Sequence, residues 1–368
     1  MLLAVAVSLM VVAFALSFVL CGLARRWAPR FGLIDSPGGR KAHFAPTPLG
    51  GGVAIWLAIV AVLGLAALAL WVGARAMPQE LALYVAGLWD RSGELLGILA
   101  LATAVMLMGL FDDRSSLHWQ FRLAVQFLMA TILVAAGVRI TLFAPTSFRY
   151  ITWFLTVVWI VGLTNAFNFL DNMDGLAGGV GLIAALLFAC AQILVGSLFV
   201  PAVLFVVVGA LGGFLVHNRY PAKLFMGDAG SNFLGFLLGC LTVAGTFTRP
   251  GYSPYSVLTP LLVMAVPLYD TASVVLIRLR EGRSPFQPDR RHFSHRLVDR
   301  GLTPPRAVWT IYLVTLACGL GALLLHQIDA LGAWVVVAQT VCLLGVVAVL
   351  EVSAPRPEQL NDKAQPEA

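Results

Sequence analysis

Eleven stretches of this chain are apolar for long enough to cross a lipid bilayer, and no other feature limits its fold so strongly. A spanning helix needs about 20 predominantly apolar residues. Such runs lie near 2–23, 49–72, 94–111, 121–138, 148–164, 176–195, 198–216, 230–247, 257–277, 307–325 and 330–350. Inside hydrocarbon every backbone N–H and C=O needs an intramolecular partner, so runs of this length must be helical. The expected fold class is an all-α integral membrane protein, a polytopic bundle of about eleven transmembrane helices occupying residues 1–352. Composition agrees: 60% of residues are hydrophobic and 11% charged, against about a quarter charged in soluble chains.

The first run, Met1 to Leu23, has no basic residue before it and no small-residue cleavage site, so it reads as a retained helix rather than a signal peptide. Net charge is +6, but loop placement explains it better than nucleic acid does. With the N-terminus outside, only Arg75, Arg91, Arg139, Arg149 and Arg249 fall on outer loops, which leaves nineteen of the 24 Lys and Arg residues inside. Basic residues near helix ends mark the cytoplasmic side, so the reading is a multi-pass plasma-membrane protein with its C-terminus in the cytoplasm. The five cysteines lie in apolar runs without metal-site spacing and read as small core residues. The tail 353–368, rich in Pro, Glu, Gln and Asp, is expected to be a disordered cytoplasmic segment.

Polar chemistry concentrates in five inner loops, and 14 of the 18 carboxylates lie on that side. The first loop carries Asp35-Ser36-Pro37-Gly38-Gly39-Arg40-Lys41-Ala42-His43. Its adjacent cations on a stiff turn suit a phosphate or lipid headgroup, or else a positive-inside anchor. The second opens with Phe111-Asp112-Asp113-Arg114 and closes with Arg122 and Gln126. Two adjacent carboxylates repel unless a cation sits beside them, and magnesium takes oxygen ligands; a helix stop with a local ion pair is an equal alternative.

The third loop is Asn165-Ala166-Phe167-Asn168-Phe169-Leu170-Asp171-Asn172-Met173-Asp174-Gly175. On a helix, Asn165, Asn168, Asp171 or Asn172, and Gly175 would form one stripe, and such groups at membrane depth face a functional cavity. The fourth runs from His217-Asn218 to Phe225-Met226-Gly227-Asp228-Ala229-Gly230-Ser231. Asp228 is either an N-cap or part of a phosphate site at a helix start. The fifth contains Asp289-Arg290-Arg291-His292-Phe293-Ser294-His295-Arg296. That mixture suits a pyrophosphate clamp, the alternative being a basic loop drawn to anionic lipid. Asp270 lies inside the ninth apolar run, where a buried acid needs a partner.

These five motifs, in this order across residues 32–300, resemble those of the polyprenyl-phosphate N-acetylhexosamine-1-phosphate transferases, glycosyltransferase family 4, a group that includes phospho-N-acetylmuramoyl-pentapeptide transferase. Pro267-Leu268-Tyr269-Asp270 and Ser284-Pro285-Phe286 resemble the branch that uses simple UDP-N-acetylhexosamines. Two motifs depart from the family pattern: Asp171-Asn172-Met173-Asp174-Gly175 replaces Asp-Gly-x-Asp-Gly, and His292-Phe293-Ser294-His295 replaces His-x-His-His.

The resemblance implies attack of a polyprenyl phosphate on the sugar-bearing phosphorus of a UDP-sugar, with release of UMP. It implies magnesium, or manganese, on Asp228 with Asn168 or Asp171 as a second ligand. Asp112 and Asp113 would orient or deprotonate the lipid phosphate, or one of them would act as a nucleophile. Arg290, His292 and His295 would hold the pyrophosphate. Phe225 would stack on uracil, Asn165, Asp174 and Asn218 would read nucleotide and sugar, and Lys41 would contact phosphate or uracil. The expected partners are the UDP-sugar, the lipid phosphate, the bilayer and a second copy of the chain as a homodimer, with no nucleic acid. The alternatives are the muramoyl-pentapeptide reaction and, from another class, a lipid flippase or secondary transporter. A transporter would show two related halves and polar residues at mid-bilayer, and the chain has no such repeat.

Overall fold

The computed structural model of the chain describes residues 2–35, 46–73, 89–140, 149–285 and 291–353. The expectations for Lys41, Arg290 and the tail fall outside these residues. The helices are α1 (Leu2–Trp27), α2 (Gly51–Gly73), α3 (Ser92–Ser115), α4 (Trp119–Ala135), α5 (Arg149–Leu170), α6 (Leu176–Leu194) and α7 (Phe199–Asn218). They continue with α8 (Gly227–Ala244), α9 (Thr259–Val263), α10 (Ala265–Arg280), α11 (Phe293–Asp299), α12 (Pro304–Leu323) and α13 (Ala330–Ser353). A two-stranded antiparallel ribbon, β1 (Ile34–Asp35) with β2 (Thr47–Pro48), sets Ile34 opposite Pro48 and Asp35 opposite Thr47.

The chain is a polytopic all-α membrane bundle, and every expected apolar run falls on a helix. Among the described residues, 8 helices are long and apolar enough to span, or 9 if the bent pair α9–α10 is one span. The count of eleven is therefore not reached. The helix α4 has only 17 residues, and α8 gives its first two turns to Asp228, Ser231 and Asn232. The α9–α10 pair bends by 58°. Pro267, on the first turn of α10, has no N–H to offer the carbonyl of Val263, so the helix cannot run straight through.

Outward-facing apolar side chains identify the lipid surface: Leu331, Trp334, Val341 and Val349 on α13 are all more than half exposed. That helix also exposes Cys342, whereas Cys21, Cys240 and Cys318 are buried. The interior is organised around two helices. The first, α7, receives α1 at close range, because a Cβ at Gly209 or Gly213 would stand 2.1 or 2.4 Å from the carbonyl oxygens of Met10 and Phe14. The Ser17 hydroxyl donates to the Ala210 carbonyl at 2.6 Å across the same seam, a contact worth on the order of 0.6 kcal/mol between membrane helices. The second, α8, is buried at every position from Ala229 to Thr242. It packs among α2, α3 and α5, so its polar first turns, with Asp228, Ser231 and Asn232, face protein rather than lipid.

Candidate active site

The site is built around the start of α8. The first N–H groups of a helix have no intrahelical acceptor, and Met226 at the N-cap supplies no side-chain oxygen. Another helix does so. Asp113, in the last turn of α3, accepts the N–H of Asp228 on Oδ1 at 2.7 Å and that of Ala229 on Oδ2 at 3.1 Å. The opposed charges of a carboxylate and a helix N-terminus favour this pairing. Glycine is required where the elements meet. Gly227 has φ +71°, and a Cβ there would stand 2.6 Å from Asp113 Oδ2. A Cβ on Gly109 would meet the Asp228 carbonyl oxygen at 2.3 Å, and one on Gly52 would meet the Gly230 nitrogen at 2.2 Å. Gly52, Gly109 and Gly227 are thus the contact points that let α2 and α3 grip α8.

Around this cap lies a continuous polar network. Asp112 is 7% exposed and accepts the Leu117 N–H at 2.6 Å and Arg122 Nη1 at 2.6 Å. The same Arg122 nitrogen stands 3.6 Å from Asp228 Oδ2. Asn168 Nδ2 donates to Asp228 Oδ1 at 2.6 Å and lies 3.1 Å from the Ser231 hydroxyl. Below, Asn165 Nδ2 donates to Gln126 Oε1, Gln126 Nε2 to Asn232 Oδ1, and Asn232 Nδ2 to the Asp228 carbonyl. Gln126 and Asn232 are almost fully buried, where a polar group is tolerated because its partners are in place.

The expected helical stripe in the third loop holds only in part. Asn165 and Asn168 lie on α5, and Asp171 still donates its N–H to the Phe167 carbonyl. The chain then turns, with Gly175 at φ +80°, so Asn172 and Asp174 leave that face. Asp174 Oδ2 accepts the Ala222 N–H at 2.9 Å. Asn218 is buried, accepting the Gly175 N–H and donating to the Leu224 carbonyl, each at 2.9 Å. These two residues fasten the third loop to the fourth. Burial, reinforced by the charges of Asp113 and Asp174, pushes the Asp171 carboxyl up to about 7.

Asp270 finds its partner in the fifth loop. It is 1% exposed, faces His292 Nδ1 with Oδ2 at 2.9 Å and accepts the Phe293 N–H on Oδ1 at 2.6 Å. It therefore caps α11 and fixes the histidine at its start. His295 is also buried, with its ring centroid 6.5 Å from that of His292. Two contacts join this helix to the third motif: the Ser294 hydroxyl donates to Asn172 Oδ1 at 2.5 Å, and His292 meets Phe169 edge-on at 5.6 Å. Arg278 also meets that link, its guanidinium 5.4 Å from the centroid of the Phe169 ring.

The structure thus joins Asp113, Asn168 and Asp228 directly, links Asp112 through Arg122 and Asn165 through Gln126 and Asn232, ties Asp174 to the fourth loop at Ala222, and attaches the helix of His292 and His295 through Asn172 and Phe169. Phe225 lies half-buried at the edge, in a parallel bridge with Leu49 that carries the first motif onto the fourth. Sequence reasoning missed Asn232 and the structural work of Asn218. The available signal was a polar residue inside an apolar run, one turn after Asp228 in the case of Asn232.

The residues that could hold a divalent cation are Asp228 and Asp171, partly exposed carboxylates that offer the hard oxygen donors such an ion takes. Asn168 directs its amide N–H at Asp228 in this conformation. Among the described residues no three His, Cys, Asp or Glu side chains already stand together as a ligand set.

Residues 95–246 match the model of the glycosyl transferase family 4. The chain is 35% identical over 325 residues to a decaprenyl-phosphate N-acetylglucosaminephosphotransferase of Mycolicibacterium smegmatis, covering 81% of this chain and 76% of that protein. It is 30% identical over 317 residues to the undecaprenyl-phosphate alpha-N-acetylglucosaminyl 1-phosphate transferase of Escherichia coli, covering 81% and 77%. A probable undecaprenyl-phosphate N-acetylglucosaminyl 1-phosphate transferase of Bacillus subtilis is 29% identical over 327 residues, covering 86% and 85%.

Proposed function

The chain belongs to glycosyl transferase family 4, and from that membership we propose that it transfers N-acetylglucosamine 1-phosphate from UDP-N-acetylglucosamine to a polyprenyl phosphate such as undecaprenyl phosphate. A phosphate oxygen of the lipid bonds to the sugar-bearing phosphorus, the bond from that phosphorus to the bridging oxygen breaks, and UMP leaves. The product is polyprenyl-diphosphate-N-acetylglucosamine, an initiating lipid for cell-envelope polysaccharide. One substrate is lipidic and the other water-soluble, so the reaction belongs at an interface, on our reading the cytoplasmic one.

The observation that carries this reading is the joining of the acidic start of α8 to a histidine helix through Asn172 and Phe169. Phosphoryl transfer depends mainly on positioning and on stabilising charge spread over phosphate oxygens. In this proposal Asp112 and Asp113 orient the lipid phosphate, with Asp113 also holding the start of α8 in place. Asp228 and Asp171 hold magnesium, or manganese, which when bound neutralises diphosphate charge. His292, His295 and Arg290 hold the diphosphate as negative charge moves to the leaving oxygen. Phe225 stacks on the base, Lys41 contacts phosphate or base, and Asn165 and Asp174 border the nucleotide. Asn218 acts through the two loops it fastens.

The test is direct. Purified protein in detergent is given a polyprenyl phosphate, magnesium and radiolabelled UDP-N-acetylglucosamine or UDP-N-acetylmuramoyl-pentapeptide. Label in the lipid fraction with equimolar UMP is expected from the first donor. Label from the second donor alone would overturn the sugar assignment, and full activity in Asp228→Asn would overturn the metal assignment.

A further inference from the structure

Arg296 lies on the last turn of α11, its backbone N–H donating to the His292 carbonyl at 3.0 Å. Its guanidinium makes two hydrogen bonds and one ion pair: Nη1 donates to the Arg291 carbonyl at 2.5 Å, Nη2 donates to the Ser273 hydroxyl at 2.8 Å, and Nε lies 3.0 Å from Glu351 Oε2 by charge pairing without a hydrogen bond. Glu351 is 9% exposed at the inner end of α13, and Oε2 also accepts the Tyr269 hydroxyl at 3.2 Å. Tyr269 immediately precedes Asp270 and meets Phe293 edge-on at 5.9 Å, so adjacent residues of α10 both touch the start of α11.

A helix of 7 residues is far too short to hold its own conformation. Beyond the packing of its buried Phe293 and Leu297, its orientation depends on polar ties: Asp270 at its first residue, Asn172 through Ser294 at its second, and Glu351 through Arg296 at its fourth. The first two come from elements of the site itself, whereas the third comes from the final helix, which supplies no other group to the site among the described residues. A buried ion pair adds little net stability compared with well-packed apolar residues, so the value of this one lies in fixing geometry.

We propose that Glu351 is a positioning residue, holding α11 through Arg296 so that His292 and His295 face the diphosphate. The inference rests on the proposed transferase reading and adds the last membrane helix to its machinery. Displacement of a positioned group by about 1 Å can cost on the order of 10²-fold in rate. Losing one of three ties should cost less, on the order of tenfold in kcat.

The experiment compares wild type, Glu351→Gln, Glu351→Ala, Arg296→Met and the double variant Glu351→Ala/Arg296→Met, purified in detergent. Steady-state UMP release is measured alongside the melting temperature and the amide hydrogen exchange of residues 293–299. The expected result is a roughly tenfold fall in kcat, with KM for both substrates within about twofold, faster exchange across α11, a melting temperature lowered in the single variants that leave one charge buried alone and largely restored in the double variant, and no additional loss of kcat in the double variant. Unchanged kcat in Glu351→Ala, or losses that add in the double variant, would overturn the proposal. If wild type releases no UMP, the transferase reading fails by itself. Exchange then decides: acceleration confined to α11 upholds the tie, and unchanged exchange overturns it.

Discussion

Asp113 reaches Asp228 through the backbone: its Oδ1 accepts the Asp228 N–H at 2.7 Å, from a residue 115 positions earlier in the chain. The two carboxylates therefore do different work, one fixing the start of a helix and the other standing free of that task at the same spot.

Replacing each of them should separate these tasks. Asp113→Ala leaves the N–H groups of Asp228 and Ala229 without their acceptor and should destabilise the fold by about 1–2 kcal/mol while abolishing UMP release. Asp228→Asn should abolish release with the melting temperature preserved. Thermal unfolding in detergent, run beside the activity assay, reads both.

Gly109→Ala places a Cβ 2.3 Å from the Asp228 carbonyl oxygen, a backbone atom that cannot rotate away. Overpacking of this kind costs about 1–3 kcal/mol and should push α3 off α8, with loss of activity. Gly97→Ala, on the same helix with nothing within 4 Å, should leave stability and rate intact.

The carboxyl of Asp171, raised to about 7 from 3.8 chiefly by burial, binds a proton more tightly in the folded chain than in the unfolded one. Between these values the folded state holds more protons, so its stability falls as pH rises. In chelator, the melting temperature should decline from pH 4 to pH 7 and then level off with respect to this group. Asp171→Asn should remove that part of the decline, its stabilising effect being largest above pH 7.

Asp270→Asn keeps an acceptor for the Phe293 N–H but turns an amide N–H toward His292 Nδ1, which disturbs the ring's tautomer. A kcat loss on the order of 10²-fold is expected, the low end of what a positioned acid–base group contributes, together with a changed pH–rate profile. An unaltered profile would show that the aspartate only caps α11.

What the sequence disclosed was whatever has a local signature. The apolar runs located every helix but α11, with α9 and α10 read as one, and five short motifs located the inner loops, because hydropathy and turn residues act over a few positions. The joining of those loops was hidden. Nothing local in the sequence showed that the side chains of Asn165 and Asn218 also fasten Gln126 and the Gly175 turn, contacts decided by three-dimensional packing. Nor did the helical stripe foresee that the chain would turn after Asp171, where Gly175 enters positive φ. The span count fell short because α4 has only 17 residues and α8, wrapped in protein, has no need of a fully apolar sequence.

That wrapping has a consequence for biogenesis. The neighbours of α8, namely α2, α3 and α5, all precede it in the chain, so the socket is complete in the membrane before α8 leaves the ribosome. A segment too polar to partition well into lipid alone can then insert into protein, its acid meeting the waiting Gly109 and Asp113. The nascent chain thus assembles its acidic centre before its histidines are made. An insertion reporter should score α8 high behind α2–α5 and low when α8 is presented by itself.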